Sequence, residues 1–556
     1  MTRTRFSGGR IHTMNSSSRV AEALVVDGER IVFVGDALAA AALAPEARVV
    51  ELGGRTVVPG FVDAHNHLSF TGAELGQVDV RSPGVTSIAE LVRRVAEAAE
   101  QTPDGVTIRA AGMNDRAFTD GRLPTRWDLD EATRVHPVLV THISGHHALA
   151  NTMALERRGL SDATPDPAGG HLGRDAHGRL TGYAFDAAQQ LVVPPGVDIG
   201  HHGPGFHDDA PLLEVVADVD RACRAYVAAG ITSICDAQVT RRELDGYREA
   251  RRQGLLTVRT TAMPISSQQG AFAELGIAGR LGDDRLAIGP MKFYADGALT
   301  GGTASFTKPY GPDSEYTGSL YWASEAAFVE AIVAAHVAGW QVGVHAQGDR
   351  AIDRVLNAFA AAVAADPRPD PRFRIEHAGG PRRDQVVRMA ELGVTVIGQP
   401  RYLWDAGDDW RRTLGLRAER LQPYREFIEA GVRFVISTDA PVASYRPMDT
   451  IATAMLRRTV DGATVGEAHR LDVDTVVRAY TIEAARSFFV DDVVGSLEPG
   501  KLADFAVLDG DLFATPAEQI ADLGVVMTVI GGQIVHEGPG SRTGSGEVEP
   551  GDRAKG

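Results

Sequence analysis

The chain has 556 residues and a net charge of −17 at pH 7, with a hydrophobic fraction of 44% and a charged fraction of 23%. This length exceeds what one hydrophobic core usually supports, which predicts a large domain with a smaller one or an insertion. Because the negative charge repels phosphate backbones and anionic lipid surfaces, we expect neither a nucleic-acid nor a membrane partner. The two cysteines, Cys223 and Cys235, and the lack of a signal-peptide pattern favour a reducing, cytoplasmic location.

Both ends of the chain contain short runs of alternating apolar residues. The runs "ALVVDGERIVFVGD" and "ARVVELGGRTVVPG" near the N-terminus, and "LADFAVLDGDLF" and "VVMTVIGGQIVHEG" near the C-terminus, contain DG and GG turn signals. This pattern is typical of antiparallel strands, so we predict a small β-sandwich from residues 1–56 and 490–540. The Gly-, Ser- and charge-rich residues 541–556 are predicted to form a disordered tail.

Between these ends, apolar β-rich runs alternate with Ala-rich helical stretches, which indicates βα units and a parallel sheet. The runs number eight and lie at 56–65, 231–238, 256–264, 288–297, 340–348, 372–380, 394–400 and 432–441. Eight strands close a barrel, so the predicted fold is α/β, with a (β/α)8 TIM-type barrel over 57–72 and 211–489. The long gap after the first run predicts an inserted subdomain, residues 73–210, that covers the active site.

Titratable residues stand at the C-terminal ends of these runs, which meet at one rim of a parallel barrel. They are His65, His67, Lys292, Asp296, His345, Glu376, His377 and Asp439. A single histidine at a strand end is more often hydrogen-bonded or solvated than a ligand, but the whole set is the mixture of imidazole and carboxylate that Zn²⁺ prefers. In "GFVDAHNHLSF", His65 and His67 are two apart and face the same side of the strand, so they can share one ion. Asp63 is expected to support the strand end instead.

Several polar residues of the sequence have more than one interpretation. Lys292 either lies at the edge of the site, where it binds an anion, or reacts with CO₂ to give an anionic carbamate that can bridge two ions. His146 in "SGHHALAN" is either a surface residue or a residue that projects toward the rim. His201, His202 and His207 lie in the loop "GHHGPGFHDD", where solvent exposure is expected.

The ordered strings "VVPGFVDAHNH", "MKFYADGAL", "VGVHAQGDRAID", "RIEHA", "ISTDAPV" and "GSLEPGKLADFAVL" resemble the amidohydrolase superfamily, and within it the N-substituted formamide deformylase-like branch of metal-dependent hydrolases. The resemblance spans about residues 5–536. It implies a (β/α)8 barrel, a β-sandwich built from both chain ends and a centre of one or two metal ions. By this resemblance, the metal ligands are His65, His67, His345, His377 and Asp439. Lys292 matches the position where many relatives carry a carboxylated lysine.

The sequence also departs from its relatives near the expected pocket. Gly302 precedes Thr303 where relatives typically have an arginine, and Ser144 stands where relatives usually have an aspartate. Because both changes fall near the expected pocket, the resemblance alone does not assign a relative's substrate to this chain. We expect the small-molecule substrate to contact Asp296, Thr303 and Gln399. The resemblance to this family also leads us to expect a homodimer.

A divalent ion lowers the pKa of a bound water and polarises a carbonyl, so the ligand set predicts hydrolysis. Asp439 is the expected general base, and His146 or His345 is expected to hold the oxyanion. These residues predict an amidohydrolase that cleaves a non-peptide C–N bond in an amide, an N-substituted formamide or a cyclic amide. Hydrolytic deamination of a small heterocycle is the alternative. A non-catalytic metal-binding regulator is disfavoured because no ligand is missing.

Overall fold

The structure is a computed structural model that describes residues 3–17, 19–81, 84–113, 118–142, 147–167, 170–186, 188–193, 199–204, 210–311 and 314–539. The predictions for Ser144, His146, His207 and the tail 541–556 therefore lie outside the described residues. The chain divides into two compact units. One unit comprises Met1–Leu68, His201–Gly203 and Ala222–Gly556, and the other comprises Ser69–Gly200 and Pro204–Arg221.

The first unit begins with strands rich in Val and Ile, separated by glycine turns. They are β1 (Thr4–His12), β2 (Val20–Asp27), β3 (Arg30–Gly35), β4 (Arg48–Glu51) and β5 (Thr56–Pro59), with helix α1 (Ala37–Leu43) between β3 and β4. The next strand is β6 (Phe61–Asn66), which is buried along its whole length. It carries the first polar residues of the predicted site at its C-terminal end.

The second unit is built around a six-stranded sheet. From α2 to α7 the elements are α2 (Leu68–Leu75), β7 (Val78–Asp79), α3 (Ile88–Ala99), β8 (Ile108–Met113), α4 (Arg126–Ala132), β9 (Val138–His142), β10 (His147–Ala150), α5 (Thr152–Arg157), β11 (Gly170–Arg174), β12 (Leu180–Asp186), α6 (Gln189–Val192) and α7 (Leu212–Ala228). The strand order is β11-β12-β10-β9-β8-β7. Val138 and Val140 of the sheet pack with Leu91 and Val95 of α3, so this unit has a hydrophobic core of its own.

The first unit continues after α7 with alternating strands and helices. They are β13 (Ile231–Val239), α8 (Arg241–Arg252), β14 (Arg259–Pro264), α9 (Gln269–Glu274), β15 (Leu281–Gly282), β16 (Leu286–Ile288), β17 (Met291–Tyr294), α10 (Glu325–Ala338), β18 (Val342–Gly348), α11 (Asp349–Ala365), β19 (Arg374–Gly380), α12 (Arg383–Glu391), β20 (Thr395–Gly398), α13 (Arg401–Leu414), α14 (Tyr424–Glu429), β21 (Arg433–Ile436) and α15 (Pro447–Leu456). Local signals set the helix ends: the Ser324 hydroxyl accepts a bond from the amide of Ala327 at the start of α10, and Gly339 ends that helix in a left-handed conformation.

Apart from β15, which pairs antiparallel with β16, the strands of this region pair in parallel. One sheet contains β6, β13, β14 and β16, and a second contains β17 to β21 in sequence order. A parallel bridge between Ile265 and Lys292 joins the sheets on one side. On the other side the amide of Asp439 donates to the carbonyl of His65, at 2.8 Å, and the amide of His67 donates to Ala440, at 2.9 Å. The predicted α/β class with parallel strands is confirmed.

The C-terminal part of the chain adds α16 (Val473–Ala479), α17 (Ile482–Arg486), β22 (Phe505–Leu508), β23 (Val525–Ile530) and β24 (Gln533–Glu537). These last strands join the first ones in an eight-stranded sheet of order β24-β23-β22-β5-β1-β2-β3, in which β4 pairs with β1. Phe6 and Phe505, both fully buried, meet edge to face across it with ring centres 4.9 Å apart. Both chain ends thus share one sheet, and its arrangement as a sandwich stays a prediction.

Short 3₁₀ helices span Gly200–His202, Ser266–Gln268, Gly415–Arg420, Glu467–His469 and Ala517–Asp522. Within the described part of the chain, no helix combines the length and the apolar character that crossing a membrane requires.

Candidate metal centre

Two imidazoles and a carboxylate converge at the C-terminal ends of β6 and β21. Nε2 of His65 lies 3.3 Å from Oδ1 of Asp439, and Nε2 of His67 lies 3.0 Å from the same oxygen. One ligand atom from each residue lies within 4.8 Å of the others, and all three residues are buried. Nitrogen and oxygen donors that face one point are the set that a Zn²⁺-class ion prefers, so these residues fit a divalent cation.

His345 of β18 and His377 of β19 lie beside this group. The ring centre of His377 is 4.9 Å from that of His65 and 4.4 Å from that of His345. Nε2 of His345 lies 3.0 Å from the carbonyl oxygen of Gly297, which leaves Nδ1 for another partner. Burial lowers the pKa of His345 to about 3 and the pKa of His377 well below its usual value. Both rings are therefore neutral, the form that binds metals.

A buried carboxylate fixes the orientation of His65. Oε2 of Glu376 lies 2.6 Å from Nδ1 of His65, and the Arg374 guanidinium holds the two oxygens of Glu376 at 2.8 and 3.0 Å. Burial alone would raise the pKa of Glu376, but the charge of Arg374 outweighs burial and holds that pKa below its usual range. With Nδ1 bonded to a carboxylate, Nε2 of His65 keeps a lone pair for a metal.

The part that Arg374 and Glu376 play in orienting His65 was not predicted from the sequence. Their signal is two opposite charges spaced two apart inside a buried strand, which places both side chains on one face, where they pair.

Lys292 of β17 is completely buried. Within the described residues its Nζ has no hydrogen-bond partner, and it lies 4.6 Å from the centre of the Tyr294 ring. Burial lowers the pKa of the amine to about 8. A lysine at the edge of the site that binds an anion would be solvated, and complete burial does not fit that interpretation.

Asp439 is held on its other side by a residue that the sequence did not reveal. The Tyr402 hydroxyl donates to Oδ2 of Asp439. Burial would raise the pKa of Asp439, but His65 and His67 outweigh burial and hold it well below its usual value. The backbones of Asp439 and His377 have φ angles of +58° and +76°. Such left-handed conformations are strained for residues other than glycine and cluster at functional sites.

The three residues expected to bind the substrate, Asp296, Thr303 and Gln399, have protein partners, and their contact with a substrate stays a prediction. The buried carboxylate of Asp296 accepts bonds from the amides of Ser305, Gln347 and Gly348, at 2.7 to 2.9 Å, and burial raises its pKa to about 7. Thr303 Oγ1 accepts from the amide of Ala298 and closes a turn. Asp296 therefore holds the loop after β17 to the end of β18.

Gln399 lies behind His377. Its Oε1 is 2.7 Å from Nδ1 of His377, and its amide nitrogen donates to Ser437 and Ile397. The residue is completely buried. This geometry supports a role in orienting His377 rather than a contact with the substrate.

For Asp63 the sequence predicted support of the strand end, and for His202 it predicted solvent exposure. Asp63 accepts bonds from the amide and hydroxyl of Thr438 and from Asn66, so it ties the end of β6 to the segment before Asp439. His202 was expected to be solvent-exposed. It is partly buried, because its Nδ1 lies 2.8 Å from Ser266 Oγ and its ring packs on Trp322.

If Gln399 orients His377, Gln399→Met should weaken metal affinity by roughly 10- to 100-fold, because the ring loses the acceptor that fixes it. Gln399→Glu is the matched control, since its carboxylate still accepts from Nδ1 and should keep the affinity near the wild-type value. A competitive chelator titration measures both. A raised KM with unchanged metal affinity in Gln399→Met would instead make Gln399 a substrate contact.

Comparisons with known proteins agree with the geometry. The model of the Amidohydrolase family matches residues 48–536. The chain is 30% identical over 549 residues to N-substituted formamide deformylase of Arthrobacter pascens, covering 96% of this chain and 98% of that protein. A solved metal-dependent hydrolase of Pyrococcus horikoshii matches with a TM-score of 0.77 and 25% identity, covering 93% of this chain and 99% of that one. Another from Pyrococcus furiosus has a TM-score of 0.76 and 27% identity, with 92% and 100% covered.

The parallel α/β fold, the converging His and Asp donors and these matches define a metal-dependent hydrolase. More particularly, the chain belongs to the amidohydrolase family, and it is a hydrolase that acts on carbon–nitrogen bonds. The superfamily resemblance predicted from the sequence is confirmed.

Proposed function

We propose that this enzyme hydrolyses a non-peptide C–N bond in an amide, an N-substituted formamide or a cyclic amide. The convergence of His65, His67 and Asp439 within 4.8 Å carries the proposal, because such a donor set suits Zn²⁺ and leaves room for further ligands. His345 and His377 are proposed as the further ligands, through Nδ1 and Nε2 respectively, since their other ring nitrogens are held by Gly297 and Gln399. The relative named a formamide deformylase supports this substrate range.

Asp439 is proposed as the general base. A bound ion would supply an activated water and polarise the scissile carbonyl. The Tyr402 hydroxyl fixes Oδ2 of Asp439, which holds the carboxylate beside the proposed ion, where it can take a proton from the attacking water and deliver it to the leaving nitrogen. His345 is no longer proposed to hold the oxyanion. If its Nε2–H donates to Gly297, its Nδ1 carries a lone pair and cannot donate.

Lys292 is proposed to react with CO₂. The ammonium first releases one proton; the neutral amine then forms a bond to the carbon of CO₂, one C=O π pair moves onto oxygen, and a second proton leaves the nitrogen, which gives an anionic carbamate with two oxygen donors. Complete burial and an Nζ without a hydrogen-bond partner among the described residues support this step, because the product removes both the buried cation and the unpaired amine. The carbamate would bridge two ions.

We also propose that the two parallel sheets form one (β/α)8 barrel over 57–72 and 211–489, in which β16 and β17, separated only by residues 289–290, count as one strand. The links between Ile265 and Lys292 and between residues 65–67 and 439–440 support its closure. The same proposal includes a β-sandwich of residues 1–56 and 490–540 and an inserted subdomain of residues 73–210.

A substrate panel tests the reaction class. Protein loaded with Zn²⁺ is incubated with N-alkylformamides, simple amides, cyclic amides and amino-substituted heterocycles. We expect an amine and a carboxylate in equal amounts from at least one amide, and we expect a chelator to abolish release. Ammonia from a heterocycle, with no amide cleaved, would contradict this proposal and favour the deaminase alternative.

A further inference from the structure

Gln347 is a buried polar residue that no part of the proposed metal site uses. It stands in β18 two positions beyond His345, so its side chain faces the same side of the strand as that proposed ligand. Only 1% of its surface is exposed. Among the described residues, its amide oxygen Oε1 has no hydrogen-bond partner.

The amide oxygen of Gln347 lies close to the backbone of Gly379. Ala346 pairs with His377 and Gly348 pairs with Gly380, so β19 contains one residue more than β18 at this point. Gly379 lies in that bulge. A Cβ on Gly379 would come within 2.7 Å of Oε1 of Gln347 and within 2.4 Å of Leu299. A glycine at this position therefore permits the Gln347 amide to approach the backbone of β19 closely, two residues from the proposed ligand His377.

The backbone around Gln347 is fixed. Its amide nitrogen and that of Gly348 both donate to the buried carboxylate of Asp296, at 2.9 Å. The backbone from which this side chain projects is therefore held in place. A buried acceptor without a donor is costly, and a ligand that brings a donor removes that cost. Formation of the proposed carbamate would explain why the amine of Lys292 in β17 has no partner. The proposed metal chemistry does not explain why the Gln347 oxygen has none.

We propose that Oε1 of Gln347 accepts a hydrogen bond from the N–H of the substrate amide. This bond limits the substrates to amides that retain an N–H, such as N-monosubstituted formamides. It excludes N,N-disubstituted amides, which have no N–H to donate. This inference rests on the proposed function, because it assigns the substrate of the same site. The bond would hold the nitrogen that leaves in the reaction.

The test uses the pair N-butylformamide and N-butyl-N-methylformamide. Calorimetry on Zn²⁺-loaded Asp439→Asn protein gives the two dissociation constants, and turnover of both compounds is measured with Asp439 intact. We expect the N–H compound to bind about tenfold more tightly beyond any steric effect of the methyl group. The same two compounds are measured with Gln347→Met, whose side chain has a similar length and lacks the amide acceptor. The difference between the preferences with and without this exchange cancels the steric effect of the methyl group, as in a double-mutant cycle.

Two further variants complete the design. Gln347→Glu keeps an acceptor and should keep the preference for N–H. Gln341→Met is the matched control: its amide donates to the carbonyls of Arg372 and Ser487, so the exchange should lower thermal stability and leave the preference unchanged.

The outcomes separate the two proposals. Loss of the preference in Gln347→Met alone supports the inference, even if no amide of the panel is hydrolysed, a result that would overturn only the proposed function. Hydrolysis with a preference that Gln347→Met does not change would overturn the inference and leave the proposed function standing. If neither compound binds, the inference is overturned; if in addition no amide of the panel is cleaved, the proposed function is overturned as well.

Discussion

Asp439→Asn is expected to retain its metal and to lose turnover by roughly 10³-fold. The amide oxygen of asparagine can still face Nε2 of His65 and of His67, which lie 3.3 and 3.0 Å from the present carboxylate oxygen. An amide, however, cannot take a proton from water at neutral pH. Metal content per chain and kcat on the best amide of the panel are the two measurements.

Asp245→Asn is the control for this prediction. Asp245 is a partly exposed residue of α8 that pairs with Arg241 and Arg248, so its exchange should leave both metal content and kcat near the wild-type values. An active Asp439→Asn protein would remove Asp439 from proton transfer. Loss of both the metal and the activity would show that Asp439 is indispensable as a ligand. The general base would then have to be sought among other residues.

The strand framework could be predicted because its signals are local. Each of the eight predicted runs overlaps an observed parallel strand, since β-rich apolar runs bounded by turn residues depend on neighbours in sequence. The rule that parallel strand ends meet then groups residues far apart in sequence. His65 and Asp439, 374 positions apart, are brought together in this way.

The partners of the site residues could not be predicted, because they depend on which side chain meets which across the assembled strands. Gln399 follows a strand and has the composition of a substrate-binding residue, yet its hydrogen bonds run to His377 and Ser437. Tyr402 lies on α13, where an aromatic residue normally indicates packing, but its hydroxyl holds Asp439. The left-handed backbone at His377 also has no signal in the sequence, because glycine is the usual residue there.

Replacing Lys292 by alanine is expected to lower metal content from two ions to one per chain and to reduce kcat by about 10²- to 10³-fold, because a bridging ligand and its charge are lost. The cavity that remains lies in the buried space now filled by the amine. A short carboxylic acid can enter such a space and replace the carbamate oxygens. We therefore expect propionate to restore part of the activity of Lys292→Ala and to have no effect on the wild-type enzyme.

Reconstitution of metal-free wild-type protein separates the bridge from the alternative role of Lys292. With Zn²⁺ and bicarbonate, activity should return faster than with Zn²⁺ in CO₂-free buffer, and ¹³C-bicarbonate should give a carbamate signal that Lys292→Ala lacks. Lys308→Ala, at an exposed lysine, is the control that should behave as wild type. One ion per chain and activity independent of bicarbonate would contradict the bridge. Lys292 would then be an amine that holds an anionic group of the substrate, with His65 and His67 binding a single ion.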